Sequence, residues 1–156
     1  MAITTSLFTW FDKGIKHIKP EIFLTDDIKV CLLTASYTPN AATHEFYDVS
    51  ITNELTTANG YTAGGESLAS KTLTETTAGV WAFDSTDPLW NVTGSSITAK
   101  MFVLYNNTPA SSKPLIGYGY LDYNSGTPQN VVVLPGVSLS IILPATGWFT
   151  SNKVNA

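Results

Sequence analysis

The stretch "NGYTAGGESL", residues 59–68, places three glycines among hydroxyl-bearing residues, as a loop that wraps backbone amides around a phosphate would. Such a loop also needs a strand before it, a helix after it and a lysine or helix N-terminus facing the anion. Here an acidic residue follows the glycines, and the next segment has the pattern of a strand. We therefore predict a structural turn, with Gly64 and Gly65 at positive φ or in tight backbone contact and Asn59-Gly60 as a second reversal.

A second candidate for chemistry is "THEFYD", residues 43–48, which contains His44, Glu45 and Asp48. A zincin-type motif needs a second histidine four residues after the first, so that both imidazoles face one ion. Position 48 is an aspartate, and the other histidine, His17, is distant in the sequence. A solvated loop with an Asx-type turn is favoured over a weak calcium site, so no metal ligand is predicted.

Nucleophilic catalysis is not indicated either. The chain has no G-x-S-x-G elbow, and its single cysteine, Cys31, lies in the apolar run "VCLLT", where a thiol behaves as a small buried hydrophobe. Paired carboxylates for glycoside hydrolysis remain an alternative, because Glu45, Asp48, Glu54 and Glu66 share one irregular region. Nothing in the sequence identifies the tuned pKa values that acid–base work needs. We predict a protein without enzymatic activity, catalytic residues or cofactors.

Composition then limits the fold and the partners. Apolar residues make up 44% of the 156 positions and charged residues only 13%, while Thr, Ser, Val, Tyr and Trp recur, as is typical of sheets. All eight basic residues are lysines and the net charge is −4, so the guanidinium fork that suits phosphate and guanine is absent. Nucleic acid is therefore an unfavoured partner.

Targeting signals are also missing from the pattern. The N-terminus "MAITTSLFTWFDKGIKHIK" lacks the basic start, apolar centre and cleavage site of a signal peptide. No apolar stretch approaches the roughly 20 residues that span a bilayer. We expect synthesis in a cytoplasm and no membrane partner.

The elements that must position any site are mostly strands. The spacing of the apolar residues Leu7, Phe11, Ile15 and Ile18 predicts one short helix over residues 6–18, with Ser6 as N-cap and Pro20 as the stop. Strands are predicted in "IKVCLLTA", "SLASKTLT", "GVWAFD", "SITAKMFVLY", "LIGYGYLD", "NVVVLP" and "VSLSIILP", with a bulge or early end in the second because its leucines are out of phase. The predicted class is all-β: an antiparallel, jelly-roll-like β-sandwich over residues 21–156 that follows an N-terminal helix or arm over residues 1–20.

Three further features of the sequence bear on packing and on possible binding surfaces. In "LIGYGYLD" one strand face carries Gly117 and Gly119, so an aromatic ring or another backbone must approach it closely. Residues 36–66 form the longest stretch without clear periodicity, which is typical of a functional segment or an arm. Trp81 and Phe83 alternate as core residues would, whereas Trp10 lies off the main helical stripe and either covers a sheet edge or docks on another chain.

The chain as a whole resembles a family of small structural proteins of tailed bacteriophages. The resemblance covers roughly the first 125 residues and is carried by "LFTWFDKGI", "SYTPN", "THEF", "GYTAGG", "VWAFDSTDPLW" and "PLIGY", in that order along most of the chain. It implies a β-rich virion component without catalytic residues, most often a capsid decoration (cement) protein on the shell of major capsid protein. A tail-associated or carbohydrate-binding adhesion module is the alternative, since aromatic faces on β-sandwiches bind sugar rings.

The resemblance also implies partners and a location. We expect contacts with the major capsid protein, a homo-oligomer with a trimer favoured, and a place on the capsid surface of the virion. Residues 4–15 and the loop 36–66 carry aromatics without strand periodicity and are the predicted contact regions. The predicted interface residues are Leu7, Phe8, Trp10, Phe11, Tyr37, His44, Phe46, Tyr47 and Tyr61.

Overall fold

The computed structural model describes residues 2–4, 8–124 and 127–152. These residues form mostly antiparallel β-sheet with three short helices, which confirms the all-β class and is consistent with a β-sandwich. The strand order does not confirm the jelly-roll arrangement. Within the described residues, no helix is both long enough and apolar enough to cross a membrane.

The elements are numbered in chain order. The helices are α1 (Gly14–His17), α2 (Pro20–Thr25) and α3 (Tyr47–Ser50). The strands are β1 (Ala2–Thr4), β2 (Thr9–Trp10), β3 (Ile28–Leu33), β4 (Glu66–Ser67), β5 (Thr72–Thr77), β6 (Val80–Asp84), β7 (Leu89–Asn91), β8 (Ile97–Ala99), β9 (Met101–Asn106), β10 (Leu115–Tyr120), β11 (Asp122–Asn124), β12 (Thr127–Gln129), β13 (Val131–Val133), β14 (Ser138–Ile142) and β15 (Phe149–Asn152). They form sheets in the orders β2-β10-β9-β3-β4, β1-β14-β7, β15-β6-β5, β13-β8 and β11-β12.

The five-stranded sheet is the centre of the molecule, because both of its faces are buried. Its middle strands, β3 and β9, pair antiparallel along their whole length. Val30 and Leu32 lie in one apolar cluster, whereas Cys31 and Leu33 alternate with them and lie in a second cluster. Burial on both faces explains why these strands read as continuous apolar runs. It also confirms the prediction that Cys31 is a buried, unpaired thiol.

The smaller sheets supply further residues to the larger of the two clusters. Trp90 of β7, Leu139 and Ile141 of β14, Phe83 of β6 and Phe149 of β15 are all buried in it. Their rings and branched side chains pack together with Val30 and the other residues of that cluster on the central sheet. One main core therefore connects the central sheet with the outer sheets.

Most predicted strands are present, with informative differences. "SLASKTLT" is interrupted between Ser67 and Thr72, as the out-of-phase leucines indicated. Strand β7 lies where no strand is predicted from the sequence; it pairs with β14, and its Trp90 is buried. The antiparallel pair β11-β12 lies mostly within "YNSGTPQN", residues 123–130, whose residue types predict a turn. These strands form because they pair with other strands, and the local sequence pattern does not reveal that pairing.

The prediction of one helix over residues 6–18 was wrong. Strand β2 lies within this range and pairs antiparallel with β10, and α1 has only four residues. Gly14 allows close approach rather than weakening a helix, since a Cβ there would lie 2.2 Å from the carbonyl oxygen of Ile116. Pro20, predicted to stop the helix, instead opens α2. A proline is favourable at that position because the first helical N–H needs no intrahelical partner.

The glycine face of β10 is covered by two rings, as predicted. A Cβ at Gly117 would lie 2.1 Å from a ring carbon of Phe8, and one at Gly119 would lie 2.5 Å from a ring carbon of Phe102. Phe102 comes from the neighbouring strand β9, and Phe8 comes from the segment that precedes β2. Glycine is needed at both positions because any side chain would occupy the space of a ring.

The glycine-rich stretch is a structural turn, as predicted. Asn59 and Gly60 both have positive φ, 55° and 88°, and they close a tight reversal. Gly64 and Gly65 also have positive φ. A Cβ at Gly65 would lie 2.0 Å from the carbonyl oxygen of Val30. The glycines therefore bring this loop against β3, and strand β4 follows them directly.

Candidate functional site

A groove of about 230 Å³ opens between the N-terminal segment and the sheet β15-β6-β5. Most of its lining residues are apolar or aromatic. The lining residues are Trp10, Ile15, Ile18, Pro20, Trp81, Phe83, Phe149 and Thr150. Concave apolar surface of this kind marks candidate binding sites for ligands or partner chains.

Packed aromatic rings form the inner part of the groove. The ring of Phe149 stacks on Phe83, with centroids 4.5 Å apart and planes at 28°. Trp10 lies 4.5 Å from the same ring, and Phe8 stacks on it at 5.4 Å. Such ring pairs restrict one another's rotation and contribute beyond the area they bury. Pairing of β2 with β10 places Trp10 here, so the groove is built on regular structure.

The rim of the groove carries two exposed apolar side chains. Ile15 of α1 is 65% exposed and Trp81 of β6 is 40% exposed. The prediction that Trp81 and Phe83 are both core residues was wrong for Trp81. Phe83 is buried against Phe149, whereas Trp81 lies two residues nearer the β5-β6 turn, beyond the aromatic stack. Strand alternation correctly gives them one face, but the core ends before it reaches Trp81.

The predicted interface residues separate into groups, and Leu7 lies outside the described residues. Three are buried in the chain's own core: Phe11, Tyr37 and Tyr61. Five are half-buried: Phe8, Trp10, His44, Phe46 and Tyr47. The buried three support the fold and present no surface to a partner in this structure. For the other described residues the interface stays a prediction, and Trp10 is the one that lines the groove.

The loop 36–66 is held by a carboxylate rather than exposed as an arm. Oε1 of Glu54 accepts hydrogen bonds from the hydroxyl of Tyr61 and from the backbone N–H of Gly64, both at 2.6 Å. Oε2 accepts one from the hydroxyl of Tyr47. Burial first, and then the hydrogen bond to Glu54, raises the pKa of Tyr47 well above its usual range. Burial also raises the pKa of Tyr61 well above its usual range. Both phenols therefore stay protonated donors, and this cluster anchors the loop.

Glu45, the carboxylate of the "THEFYD" stretch, lies among cations. Its oxygens lie 2.8 Å from Nζ of Lys13, 2.6 Å from Nζ of Lys16 and 3.2 Å from Nε2 of His17. The hydrogen bonds from Lys13 and then Lys16 lower the pKa of Glu45 to about 2. Glu45 is therefore ionised at neutral pH and fastens α1 to the loop.

The remaining candidates for metal or acid–base chemistry are also engaged or dispersed. Asp48 accepts a hydrogen bond of 3.0 Å from the backbone N–H of Lys113. His44 contributes Nδ1 to a 2.8 Å contact with the hydroxyl of Tyr37. Across the described residues, no group of three or more His, Cys, Asp and Glu side chains could hold a metal ion. The apolar groove is therefore the candidate binding site in the part of the chain that the structure describes.

Sequence reasoning missed most of the groove. Ile15 and Ile18 were assigned to the buried stripe of a longer helix, and Phe149 lay outside every predicted strand.

Comparison with known proteins assigns no function: no family model, no curated protein and no solved structure matches the chain.

Proposed function

We propose that this chain is a non-enzymatic structural protein of a tailed-bacteriophage virion. In this proposal it decorates the capsid, binding the outer shell of major capsid protein as a cement protein. The observation that carries the proposal is the open apolar groove, with Ile15 and Trp81 exposed at its rim. The resemblance in "LFTWFDKGI" and "VWAFDSTDPLW" supports it as well, because these two segments supply Trp10, Ile15 and Trp81.

The free energy that each groove could contribute to binding is small, which favours attachment in many copies. Burying Ile15 and the exposed part of Trp81 against a shell would contribute about 1.5–3 kcal/mol for each side chain. That is modest for one copy, since a standard interface buries roughly 1,600 Å² in total. Homo-oligomerisation, with a trimer favoured, would bring several grooves to one lattice site and raise the effective concentration of each contact.

The test is binding to undecorated capsid shells. Trp81→Ala removes an exposed rim residue, so we expect loss of co-sedimentation with shells while the circular dichroism spectrum is retained. Val132→Ala, at a 52% exposed position on β13, is the matched control and should bind normally. Equal binding by wild type and Trp81→Ala would reject the groove as the attachment site. A double variant at Trp10 and Phe11 is unsuitable, because Phe11 is fully buried and its removal tests folding.

Location in the virion is a separate measurement. In a decorated particle, an electron cryomicroscopy map should show this chain on the outside of the shell with its groove toward the lattice. A map that places it on the tail would favour the alternative role.

The second candidate is a tail-associated or carbohydrate-binding adhesion module. The exposed indole of Trp81 favours it, since sugar rings stack on accessible tryptophan faces. This role predicts a change in tryptophan fluorescence when a glycan panel is added, and loss of that change in Trp81→Ala. Binding to shells without any glycan response would support capsid decoration instead.

A further inference from the structure

The groove lies beside the edge strands of two different sheets. Strand β15 ends the order β15-β6-β5, and β2 ends the order β2-β10-β9-β3-β4. Trp10 of β2 and Phe149 of β15 both line the groove, and their rings lie 4.5 Å apart. In the part of the chain that the structure describes, neither strand pairs with a second neighbour. Each strand therefore presents one edge whose backbone groups no described strand uses.

The groove reaches the backbone of β15, the longer of these two edge strands. Phe149 and Thr150 are consecutive, and consecutive side chains of a strand point to opposite faces of the sheet. Phe149 is buried against Phe83, whereas Thr150 is exposed, yet both residues line the groove. A groove that contacts both residues borders the edge of the strand as well as one face of the sheet.

The hydrogen-bond pattern shows which backbone groups of β15 point to its free edge. The carbonyl oxygen of Phe83 accepts a 2.8 Å hydrogen bond from the N–H of Trp148, so Phe149 and Phe83 form a pair of the non-hydrogen-bonded type. The two types of pair alternate along an antiparallel ladder. Thr150 therefore directs its N–H toward β6, whereas Ser151 directs its N–H away from β6.

Neither the groove nor the edge of β15 carries charge. None of the described lining residues is charged, and Phe149–Asn152 contains no charged residue and no proline. Sheet edges are commonly protected from further pairing by charged residues, prolines or bulges. Strand β5, the other edge of this sheet, carries Glu75 and a register shift. The edge of β15 thus combines an unprotected strand with an adjoining apolar surface.

We propose that the groove receives an extended, uncharged apolar segment of the capsid shell, which pairs with β15 as an added strand. This inference rests on the proposed function and names the conformation and chemistry of the partner. In strand addition, backbone hydrogen bonds give affinity and pockets for alternate side chains give specificity. Here the alternate side chains would pack against Trp10, Trp81 and Phe149. A charged side chain would lose its hydration in this groove without gaining a partner.

Hydrogen exchange of the wild-type protein tests the pairing directly. When the protein is bound to undecorated shells, the peptide that contains Phe149–Asn152 should exchange more slowly by about tenfold, because the outward N–H of Ser151 becomes hydrogen bonded. Residues 72–77 of β5 are the internal control and should exchange at the same rate with and without shells. Unchanged exchange in Phe149–Asn152 on binding overturns strand addition.

A backbone variant provides a second arm. Ser151→Pro removes the outward donor, and proline is tolerated on an edge strand where its nitrogen faces away from the ladder. It should weaken binding to shells by about five- to tenfold. Ser151→Ala keeps the N–H and is the matched control, which should bind normally. Equal binding by the two variants, or loss of the circular dichroism spectrum in Ser151→Pro, contradicts the assignment of this N–H to the partner.

A pair of charge variants tests whether the occupant is uncharged. Ile15 lines the groove and is 65% exposed, so its replacement should leave the fold intact. Ile15→Lys and Ile15→Glu should weaken binding to a similar extent, about fivefold, because either charge meets an apolar partner. Tighter binding by one of the two variants would assign a charged occupant and overturn this part of the proposal.

The outcomes separate this inference from the proposed function. Failure of wild type to bind shells overturns both. Loss of binding in Trp81→Ala, with unchanged exchange in β15 and normal binding by Ser151→Pro, overturns strand addition alone and leaves the decoration role intact. Self-association of wild type in sedimentation, lost in Ser151→Pro, would assign the edge to a second copy of this chain and overturn the shell segment as its occupant.

Discussion

The hydroxyl group of Tyr61 lies between Glu54 and the central sheet. It donates a 2.6 Å hydrogen bond to Oε1 of Glu54, and its oxygen accepts a 3.0 Å hydrogen bond from the backbone N–H of Leu32. Tyr61 itself is buried in the main core. One phenol therefore ties the otherwise irregular loop 36–66 to β3.

Tyr61→Phe should lower the free energy of unfolding by about 1–3 kcal/mol, because it leaves a buried backbone donor unsatisfied and removes a donor to a carboxylate. Urea unfolding measures the change. Tyr118→Phe is the control, since the Tyr118 hydroxyl makes no hydrogen bond to another described residue that we observe, and it should cost far less. Equal losses in both variants would show that the Tyr61 hydroxyl has no special role.

Acid should weaken the fold partly through Glu45. Its pKa is lowered from an ordinary 4.5 to about 2 in the folded protein by Lys13 and Lys16. The stabilisation is fully present above pH 4.5 and is lost as the pH falls toward 2, because the unfolded chain binds the proton first. Over this window, Glu45→Gln should lose less stability than wild type.

Urea titrations at neutral pH and at several values between 4.5 and 2 measure that difference. Glu21→Gln, on an exposed position of α2, is the control and should follow the wild-type curve. Parallel decline of wild type and Glu45→Gln would contradict the assignment of the acid sensitivity to this ion-pair cluster.

Gly119→Ala should destabilise the protein by about 1–3 kcal/mol through overpacking, because the new methyl group would meet the ring of Phe102. Shortening that ring tests the cause. In the double variant with Phe102→Leu, the two losses should sum to more than the measured loss, as expected for residues in direct contact. Strict additivity in this cycle would place the cost elsewhere, for example in backbone entropy.

The two aromatic residues of β6 should behave differently. Phe83→Ala removes a buried ring and should cost about 3–5 kcal/mol. Trp81→Ala removes an exposed side chain and should change the free energy of unfolding by less than about 1 kcal/mol. Thermal or urea unfolding of the two variants measures these changes. A loss in the free energy of unfolding for Trp81→Ala as large as that for Phe83→Ala would mean that Trp81 belongs to the core.

Much of the fold could be predicted because it follows from local patterns. The apolar runs of β3 and β9 indicate strands buried on both faces, and the glycines at 117 and 119 require a ring close by. The positive-φ pairs at 59–60 and 64–65 also follow from residue type. The predicted N-terminal helix was wrong, because the spacing of Leu7, Phe11 and Ile15 does not reveal that Thr9–Trp10 can pair with the edge of β10.

The sequence by itself determined the all-β class, the buried single thiol, the turns and the lack of a recognisable catalytic motif, because each depends on residue type and near neighbours. Only the tertiary structure decided which aromatics are accessible. Phe11, Tyr37 and Tyr61 became core, whereas Trp81 stayed exposed. Exposure depends on which distant segments cover a side chain. Phe149, from the far end of the chain, stacks on Phe83 but does not cover Trp81, two residues away on the same strand.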